Sequence, residues 1–578
     1  MMNSGPDMRN MLLAIGLSIA VIALWNVFYQ SPHQYKEIEA RKIEQQAKAA
    51  AETQKLAAPA QAVKPRAEAL LDAPRVAIAS GELRGSLSLK GARFDDLALV
   101  HYKETVDKKS PKVVLLSPSG TQAAYFGEIG WLTSYDETAI PGSDTVWQAS
   151  AKKLTPDSPV TLTWDNGQGV TFVMDVALDK HFMFTVKQSV INRSGGDISL
   201  APYGLINRMH KEEKTSNYGI LHEGLIGVTT GKLEELDYKK IKEEGKKSVA
   251  DASGWLGIAD KYWLTALVPD GSEVFKANYQ SYSDKGEDRF QVDYLGGTRS
   301  VAAGETSENT VRFFAGAKKV AVLDQYKDAY GIPFFDRSVD FGTLYFLTKP
   351  IFLMLNYFYG LLGNFGLAIL LLTVVIRLAL YPLANKSYKS MGQMKQLMPK
   401  IQEIQQRYTD DKMRMNMEIM ELYKKEKVNP ASGCLPLLIQ LPVFFALYKV
   451  LFVTIEMRHA PFFGWITDLS AKDTTNIFTL FGLIPWDPPS IMHIGILPVF
   501  MTITMIVQQK LSPKPSDATQ AQVMAAMPYL FLFMFANFPA GLVIYWAWNN
   551  ILSILQQQAI NRQLERASEK KKQPAEAA

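Results

Sequence analysis

The chain has almost no cysteine and lacks the short motifs that mark common enzyme sites. Cys434 is the single cysteine among 578 residues, so an intrachain disulfide is excluded and a disulfide-stapled secreted fold is not expected. There is no HExxH, no GxxxxGKS/T and no paired CxxC, the signatures of zinc proteases, P-loop nucleotidases and thiol redox enzymes. We therefore expect no catalytic residue, no metal site and no cofactor.

Charge is scarce inside the long apolar runs, and one exception stands out. Arg377 lies in LAILLLTVVIRLALYPLA (367–384), which is long enough to span a bilayer. A cation there costs about 2.5–3.5 kcal/mol on insertion scales, so the sequence predicts that Arg377 faces protein or water rather than lipid. The alternative is snorkelling, because Arg377 is only five residues before Pro382 and its side chain is long.

Hydropathy divides the chain into membrane and soluble parts. Met11–Tyr29 is predicted to be an uncleaved anchor, because its apolar core is longer than that of a signal peptide and no small-residue cleavage site follows. The predicted segments are the anchor (1–29), a flexible linker (30–74), a β-sandwich domain with a C-terminal helix (75–335), an interfacial helix with a second span (343–384), a helical hairpin (385–430), spans three to six (431–558) and a basic tail (559–578).

The soluble part is predicted to be mainly β-structure. Residues alternate between apolar and polar over Val170–Leu178, Asp179 and Lys180 form a turn, and alternation resumes over Phe182–Val186. This pattern is typical of a β-hairpin. Several such runs between residues 75 and 317 favour one large antiparallel sandwich. His181, His210, His222 and Glu223 lie in it without a connecting motif, and surface or packing roles are the simpler interpretation.

The second half contains five further candidate spans, which makes six in total. Their limits are 364–384, 434–455, 491–509, 523–538 and 541–558. Thr348–Leu362 is rich in Tyr and Phe and fits an interfacial helix better. Lysine and arginine crowd the segment 385–430 and are rare in 457–490, so the first is predicted to be cytoplasmic and the second external. Both termini are then cytoplasmic and the β domain is external.

Residues 386–425 are predicted to form two antiparallel helices. Apolar residues recur at spacings of three and four, and Thr409–Asp411 interrupts the pattern. Six of the seven methionines on these arms are candidate contact residues: Met391, Met394, Met398, Met413, Met417 and Met420. Flexible thioether side chains suit a surface that accepts many apolar sequences, but they would equally suit packing between the arms. The basic character of this segment and of the tail also fits anionic lipid or ribosomal RNA phosphates.

Polar side chains inside the spans are few. Thr373 is four residues before Arg377, so both lie on one helix face, which suggests a wet cavity. Gln440, Asn549 and Asn550 are explained as well by hydrogen bonds between helices.

Several motifs make the chain similar to a known family. They are VVIRLALYPL (374–383), the basic hairpin, KVNPASGCLPLLIQLPVFFALY (427–448), SPKPSDATQAQVMAAMPYLFLFMFANFPAGLVIYW (512–546) and QQQ (556–558). Together they resemble the YidC/Oxa/Alb family of membrane protein insertases, in its Gram-negative form. The resemblance covers essentially all of residues 340–562 and implies a periplasmic β-supersandwich, five core membrane helices and a cytoplasmic hairpin.

The resemblance also implies a mechanism and partners. A hydrophilic groove, open to the cytoplasm and to lipid, would receive the polar tail of a nascent membrane protein, and the protein would act alone or with the Sec translocon as insertase and chaperone. The implied groove residues are Arg377, Thr373, Gln440, Tyr545, Trp546 and Asn549, with Trp546 where relatives have tyrosine. The implied slide for the apolar client helix comprises Leu441, Pro442, Phe444, Phe533 and Phe535. Ribosome contact through the basic segments is expected, DNA binding is not.

Two other classes of function stay open on the sequence alone. A secondary transporter would explain an intramembrane arginine, although paired repeats and pairs of broken helices are not evident. A membrane-anchored, carbohydrate-acting periplasmic enzyme would use the β domain instead.

Overall fold

The fold is that of a computed structural model. It describes residues 64–133, 138–209, 221–271, 274–284, 286–426, 428, 435–486, 488–489, 492–511 and 518–572. The predicted anchor Met11–Tyr29 and most of the predicted linker 30–74 lie outside the described residues.

Residues 75–317 fold into β-strands with one short helix among them. The strands are β1 (Arg75–Ala79), β2 (Leu83–Ser88), β3 (Arg93–Lys103), β4 (Lys112–Leu116), β5 (Tyr125–Thr133), β6 (Gln148–Ala149), β7 (Lys153–Leu154), β8 (Val160–Asp165), β9 (Val170–Leu178), β10 (Met183–Asn192), β11 (Ile198–Met209), β12 (Gly224–Val228), β13 (Leu233–Asp237), β14 (Lys246–Ala252), β15 (Trp255–Ala259), β16 (Trp263–Pro269), β17 (Phe275–Asp284), β18 (Glu287–Gly296), β19 (Arg299–Val301) and β20 (Thr306–Ala317).

The strands form two large sheets. An 11-stranded sheet has the order β14-β17-β18-β11-β5-β3-β2-β1-β7, with β19 beside β11 and β4 beside β3. A 9-stranded sheet has the order β13-β12-β15-β16-β20-β10-β9-β8-β6. Pairing is antiparallel, except that β1 and β7 run parallel.

The hairpin predicted around Asp179 is confirmed. Strands β9 and β10 pair antiparallel, with Phe184 opposite Leu178. The Asp179 carboxylate accepts hydrogen bonds from the backbone N–H groups of His181 at 2.8 Å and Met183 at 3.0 Å. It also accepts the Tyr326 hydroxyl at 2.5 Å. The turn is therefore held both locally and from a distant helix.

The core of this domain lies between the two sheets. Phe94 of β3 packs on Phe184 and Phe313 of the other sheet, with ring centroids 5.1 and 4.9 Å apart. Gly127 of β5 faces the same ring, and a Cβ atom there would come within 2.7 Å of Phe313. Glycine is required at this position because the two sheets approach so closely.

The helices come mainly after the strands. They are α1 (Arg66–Ala69), α2 (Tyr238–Glu244), α3 (Val320–Tyr330), α4 (Tyr345–Leu362), α5 (Phe365–Ala379), α6 (Tyr381–Arg407), α7 (Lys412–Lys425), α8 (Leu435–Val453), α9 (Ile496–Leu511), α10 (Ala518–Phe535) and α11 (Ala540–Lys572). Short 3₁₀ helices cover Phe335–Ser338, Ile455–Met457 and Ile477–Gly482.

The predicted span 364–384 is not one straight helix. It is divided between α5 and α6, which are bent by 72° at their junction. Pro382 lies in the first turn of α6. Proline has no N–H to donate and its ring clashes with the preceding turn, so it favours starting a new helix over continuing α5. Among the described residues, no individual helix is long and apolar enough to cross a bilayer, and the bent pair of α5 and α6 meets this condition by length and composition only.

Three other predicted spans have different limits from the helices. The helix α9 begins at Ile496 rather than 491, because the Asp473 carboxylate accepts the N–H of Leu497 at 2.9 Å and so fixes the helix start. The helix α10 begins at Ala518 rather than 523. The helix α11 continues to Lys572 instead of ending at 558, since residues 559–572 contain neither glycine nor proline.

The β domain is joined to the helical part by specific contacts. Lys449 of α8 forms an ion pair of 2.8 Å with Asp340, in the segment that follows the β domain. Arg458 donates to the carbonyl oxygen of Lys103 at 2.6 Å. Glu456 is half-buried and accepts the Val320 N–H at 3.1 Å, and desolvation of its carboxyl group raises the pKa of that group to about 7. This junction therefore contains a carboxylate that titrates near neutrality.

Candidate functional site

The Arg377 guanidinium lies between α5 and α11. Its Nε donates to Asn549 Oδ1 at 2.9 Å, and one Nη donates to the Asn549 carbonyl oxygen at 2.9 Å. The same Nη also bonds the Ser553 hydroxyl, and the other Nη donates to Gln556 Oε1 at 3.4 Å. We call these four residues the arginine site. Arg377 is only partly buried, so water also reaches it.

The partners of Arg377 are neutral. Within the described part of the chain, no carboxylate lies within 4.0 Å of its guanidinium. Neutral oxygens satisfy donor geometry, but they do not cancel the charge. In a low-dielectric setting an uncompensated cation strongly attracts a nearby anion. The arginine site is therefore built to hold a positive charge in place, with its charge still available.

Sequence reasoning missed half of this site. Asn549 was among the candidate residues, but Ser553 and Gln556 were not. The three lie at spacings of four and three on α11, which places them on one helix face. This spacing could have identified Asn549, Ser553 and Gln556 as one polar helix face. It was overlooked because Gln556 was considered only as part of the QQQ motif at 556–558.

Gln440 and Tyr545 form a second polar contact between helices. The Gln440 side-chain amide donates to the Tyr545 hydroxyl, which joins α8 to α11. Thr373 is buried, and its hydroxyl donates to the Ile369 carbonyl oxygen of its own helix at 2.7 Å. Thr373 therefore shares a helix face with Arg377 but presents no free hydroxyl to a cavity.

Trp546 belongs to an aromatic cluster inside the helical part. Its ring lies 4.9 Å from Phe444, edge to face, and 5.3 Å from Phe535. Phe444 and Phe535 are themselves buried, and their rings are 6.1 Å apart. These two expected slide residues face the interior here, because they fill the space between α8, α10 and α11. Trp546 likewise faces this cluster instead of the arginine site.

The other three expected slide residues are on the surface. Leu441, Pro442 and Phe533 are exposed, and they are joined there by Phe445 and Leu530. Phe533 is 51% exposed, a large fraction for a phenylalanine. The buried contact between Phe444 and Phe535 joins α8 to α10, and both helices have exposed apolar side chains. We call these exposed side chains the outer α8–α10 face.

A loop covers the end of the bundle where α10 turns into α11. Ala540 donates its N–H to the Ala471 carbonyl oxygen at 2.7 Å, and Gly541 donates to Leu469 at 3.0 Å. Leu469 is completely buried. In the same loop the Phe462 ring lies directly against Gly366 of α5, where a Cβ atom would overlap it. The bundle is thus closed at this end.

The hairpin methionines divide into two groups. Met394 and Met398 pack on a small core between α6 and α7 that includes Leu397, Ile401 and Ile419. Met413, Met417 and Met420 are 57%, 60% and 50% exposed and lie on one face of α7. Met391 is partly buried. The packing interpretation therefore holds for Met394 and Met398, whereas a role of the exposed Met413, Met417 and Met420 in contacting apolar sequences stays a prediction.

Among the described residues, His181 and His222 of the β domain do not belong to a metal-ligand group. His222 Nδ1 contacts Asp237 Oδ1 at 2.8 Å, and Glu223 accepts the Lys261 N–H at 2.9 Å. His181 belongs to the β9–β10 turn, and His210 lies outside the described residues. In the described part of the chain, no group of three or more His, Cys, Asp or Glu residues is placed to hold a metal.

Two family models match this sequence. The YidC periplasmic domain matches residues 75–354, and the 60Kd inner membrane protein family matches residues 357–569. The first corresponds to the β domain and the following helix, the second to the helical part with the arginine site. The two descriptions place the chain in the inner membrane with a β-rich domain in the periplasm.

Curated relatives match over almost the whole chain. The membrane protein insertase YidC of Rickettsia conorii is 48% identical over 562 residues, 96% of this chain and 99% of the relative. That of Rickettsia bellii is 49% identical over 556 residues, 96% of this chain and 98% of the relative. A crystal structure of an active YidC insertase covers 83% of this chain and 92% of its own, with 18% identity and a TM-score of 0.35. The chain belongs to the YidC family of membrane protein insertases.

Proposed function

We propose that this protein inserts nascent membrane proteins into the inner membrane and assists their folding, with the arginine site as the point that receives the client's polar tail. The relatives that match 96% of the chain are named as membrane protein insertases, which are not enzymes. This role implies that nascent membrane proteins are its clients and that it acts in the lipid bilayer.

The observation that carries the proposal is the charge of Arg377 among neutral partners. An acidic or polar client tail that enters the bilayer loses hydration, which costs several kcal/mol for an unpaired charge. A fixed, partly hydrated guanidinium lowers that cost because it supplies a charge-assisted hydrogen bond in place of water. An arginine neutralised by a carboxylate would not serve in this way.

The closed end gives the proposed path its direction. Positive residues crowd 385–430, which favours the cytoplasmic side for α6 and α7. The covering loop around Leu469 and Ala471 then lies on the periplasmic side. A client tail would enter from the cytoplasm, reach Arg377 and stop below the cover until its apolar helix has moved aside.

The outer α8–α10 face is the proposed exit for the apolar helix. Its exposed residues Leu441, Pro442 and Phe533 offer apolar contact without a polar barrier. Transfer of about 20 apolar residues from water to lipid supplies the driving force, at roughly 0.8 kcal/mol per buried methylene, and no nucleotide is required. Movement of the client's apolar helix from this face into lipid then requires no large change in the solvation of that helix.

The remaining partners are proposed from charge. The hairpin, on the cytoplasmic side, and the tail carry many lysines and arginines, which suit anionic lipid and the phosphates of a translating ribosome. Cooperation with the Sec translocon is proposed on the family resemblance. From the same charge distribution we propose that both termini lie in the cytoplasm and that the chain has six spans in total.

The test is insertion in reconstituted vesicles by Arg377 variants. Arg377→Ala is expected to reduce insertion of a small Sec-independent client with an acidic tail about tenfold or more, because a lost charged interaction of 1.5–3 kcal/mol has that effect. Arg377→Lys is expected to keep part of the activity, since the charge remains but the fork of donors is lost.

Two controls make this test specific. Ser553→Ala removes one neutral acceptor and keeps the cation, so its insertion is expected to stay close to wild type. The same client with a neutral tail should be much less sensitive to Arg377→Ala. Insertion of the acidic client at the wild-type rate by Arg377→Ala would overturn the proposed role of this cation.

A further inference from the structure

A loop between the covering segment and α9 exposes a cluster of large apolar side chains. Its base is closed by the Ile477 N–H, which donates to the Ile494 carbonyl oxygen at 3.0 Å. Between these two residues, five side chains are exposed to a large extent: Phe478 38%, Leu480 52%, Leu483 81%, Ile484 43% and Trp486 47%. We call this cluster the 478–486 tip.

The tip is a formed structure and not a random excursion. The Asn476 side chain accepts the Phe478 N–H at 3.0 Å, and Ile484 donates its N–H to the Thr479 carbonyl oxygen at 3.0 Å. Leu480 has a φ of +45°, a left-handed conformation that leucine rarely adopts. This disfavoured backbone conformation is held by local hydrogen bonds and leaves the Leu480 side chain exposed to solvent. Such an arrangement indicates that the side chain contacts a partner that is not part of this chain.

Charge and composition narrow the possible partner. No lysine or arginine occurs between Lys472 and Lys510, and Asp487 is the single carboxylate from 474 to 509. Protein interfaces usually have a polar rim around their apolar centre. A cluster of leucine, isoleucine, phenylalanine and tryptophan beside several prolines fits the bilayer interface, where tryptophan is enriched.

Position supports the same partner. The loop base at Ile494 is two residues before α9 begins at Ile496, and α9 lies in the region that matches the inner membrane protein family. The tip thus projects from the end of a short apolar helix in that region. The loop is on the side of the cover around Leu469, and with the topology proposed above, on which this step rests, that side adjoins the periplasmic leaflet.

We infer that the 478–486 tip inserts its apolar side chains into the periplasmic leaflet of the bilayer beside α9. Burying five large apolar side chains in lipid is favourable, and it needs no shape-complementary protein partner. Anchoring at this point holds the covering loop at a fixed depth, close to the closed end of the bundle. The inference does not depend on the role proposed for Arg377.

The test places a spin label at Leu483 in lipid vesicles. Cys434→Ser removes the single cysteine, and Leu483→Cys then allows labelling at a side chain so exposed that its replacement leaves the fold intact. Leu71→Cys is the matched control, because Leu71 is 84% exposed and belongs to the β-domain side of the chain. Collisions with oxygen, which concentrates in lipid, are compared with collisions with a water-soluble nickel chelate.

If the tip is inserted in lipid, the ratio of oxygen collisions to chelate collisions is high for the label at position 483 and low for the label at position 71. The label at position 483 is expected to collide several-fold more often with oxygen than with the chelate, and the label at position 71 shows the reverse. Equal access of the chelate to both labels would overturn the inference. Protection of the label at position 483 from both reagents would also overturn the inference. Protection that increases with the protein-to-lipid ratio would indicate contact with a second copy of the chain, and protection that appears only with a bound client would indicate contact with that client.

Discussion

At the scale of single residues, two charges in this protein are held in different ways. The Arg377 guanidinium donates to neutral oxygens of Asn549, Ser553 and Gln556, which fix its position without offsetting its charge. Glu456 is enclosed at the junction of the β domain and the helices, and its second carboxylate oxygen is buried without a partner among the described residues. The arginine has hydrogen-bond partners for its donors, whereas the environment of the glutamate raises the pKa of its carboxyl group and favours the neutral form.

The Glu456 junction should make stability depend on pH. Burial raises the pKa of Glu456 from 4.5 to about 7. Between these values the folded state binds more protons than the unfolded state, so stability falls as pH rises from about 4.5 to 7. Glu456→Gln keeps an oxygen for the Val320 N–H and should remove this dependence. We expect the variant to be more stable than wild type at pH 8, by roughly 3 kcal/mol at most.

Thermal unfolding of the detergent-solubilised protein at pH 5 and pH 8 measures this effect. The two proteins should differ least at pH 5, where Glu456 is largely protonated in the folded state. If the difference in thermal stability between wild type and variant is the same at pH 5 and pH 8, Glu456 does not titrate in this range.

Residue types were easier to predict than their partners. Arg377 was identified because charge in an apolar run is costly whatever the fold. Its hydrogen bonds to α11 link residues more than 170 positions apart, and no local pattern states which helices become neighbours. Phe444 and Phe535 were expected on the client slide from the family resemblance, and the apolar runs that contain them do not indicate which helix face is buried.

At the scale of elements, the hairpin of α6 and α7 shows how one residue type can serve two purposes. Met394 and Met398 of α6 and Met415 of α7 pack in the core between the two helices, whereas Met413, Met417 and Met420 of α7 are exposed. Substitution of the two groups should therefore have separate consequences. Their similar chemistry makes each group a control for the other.

We predict that Met394→Ala with Met398→Ala destabilises the hairpin by about 1–2 kcal/mol per site, because both side chains fill its core only in part. Met413→Ala, Met417→Ala and Met420→Ala together should change stability by less than about 0.5 kcal/mol per site. If the exposed face contacts clients, the triple variant should instead lower the yield of hairpin cross-links to a nascent chain.

Circular dichroism during heating and cross-linking to stalled nascent chains separate the two effects. A triple variant with normal cross-linking would assign α7 a purely structural surface. Loss of helix in the triple variant would show that its methionines are not as exposed as the structure indicates.

Element limits depended on proline and on distant caps. Pro382 was visible in the sequence, but a proline within an apolar run permits either a kink or a new helix. The start of α9 is fixed by Asp473, more than twenty residues earlier in a loop, and periodicity carries no information about such a cap. The β9–β10 hairpin was predictable because alternation and its turn are both local.

At the scale of the whole molecule, the arginine site lies entirely in the helical part. Every described hydrogen bond of the Arg377 side chain connects α5 to α11, whereas the contacts with the β domain and the segment after it involve Lys449, Glu456 and Arg458. The arrangement of two sheets was predictable in outline as a sandwich, because alternating strands are numerous. The order of the strands was not, because their pairing joins distant segments.

Removal of residues 75–315 should therefore leave most of the insertion activity. The deletion removes the contacts of Arg458 with Lys103 and Glu104 and lowers the stability of the covering loop, but it leaves the arginine site intact. Insertion in reconstituted vesicles measures the result. A complete loss in a truncated protein that still reaches the membrane would place the activity in the β domain, as expected of a periplasmic enzyme.

The most direct measurement is photocrosslinking from Gln556 to a stalled nascent client with an acidic tail. A photoreactive residue at position 556, beside Arg377, should cross-link to that tail, whereas the same residue at the exposed neighbour Leu555 should label mainly lipid. Cross-links at position 556 that depend on Arg377 are the predicted result. A client that inserts efficiently without any cross-link at position 556 would contradict the account.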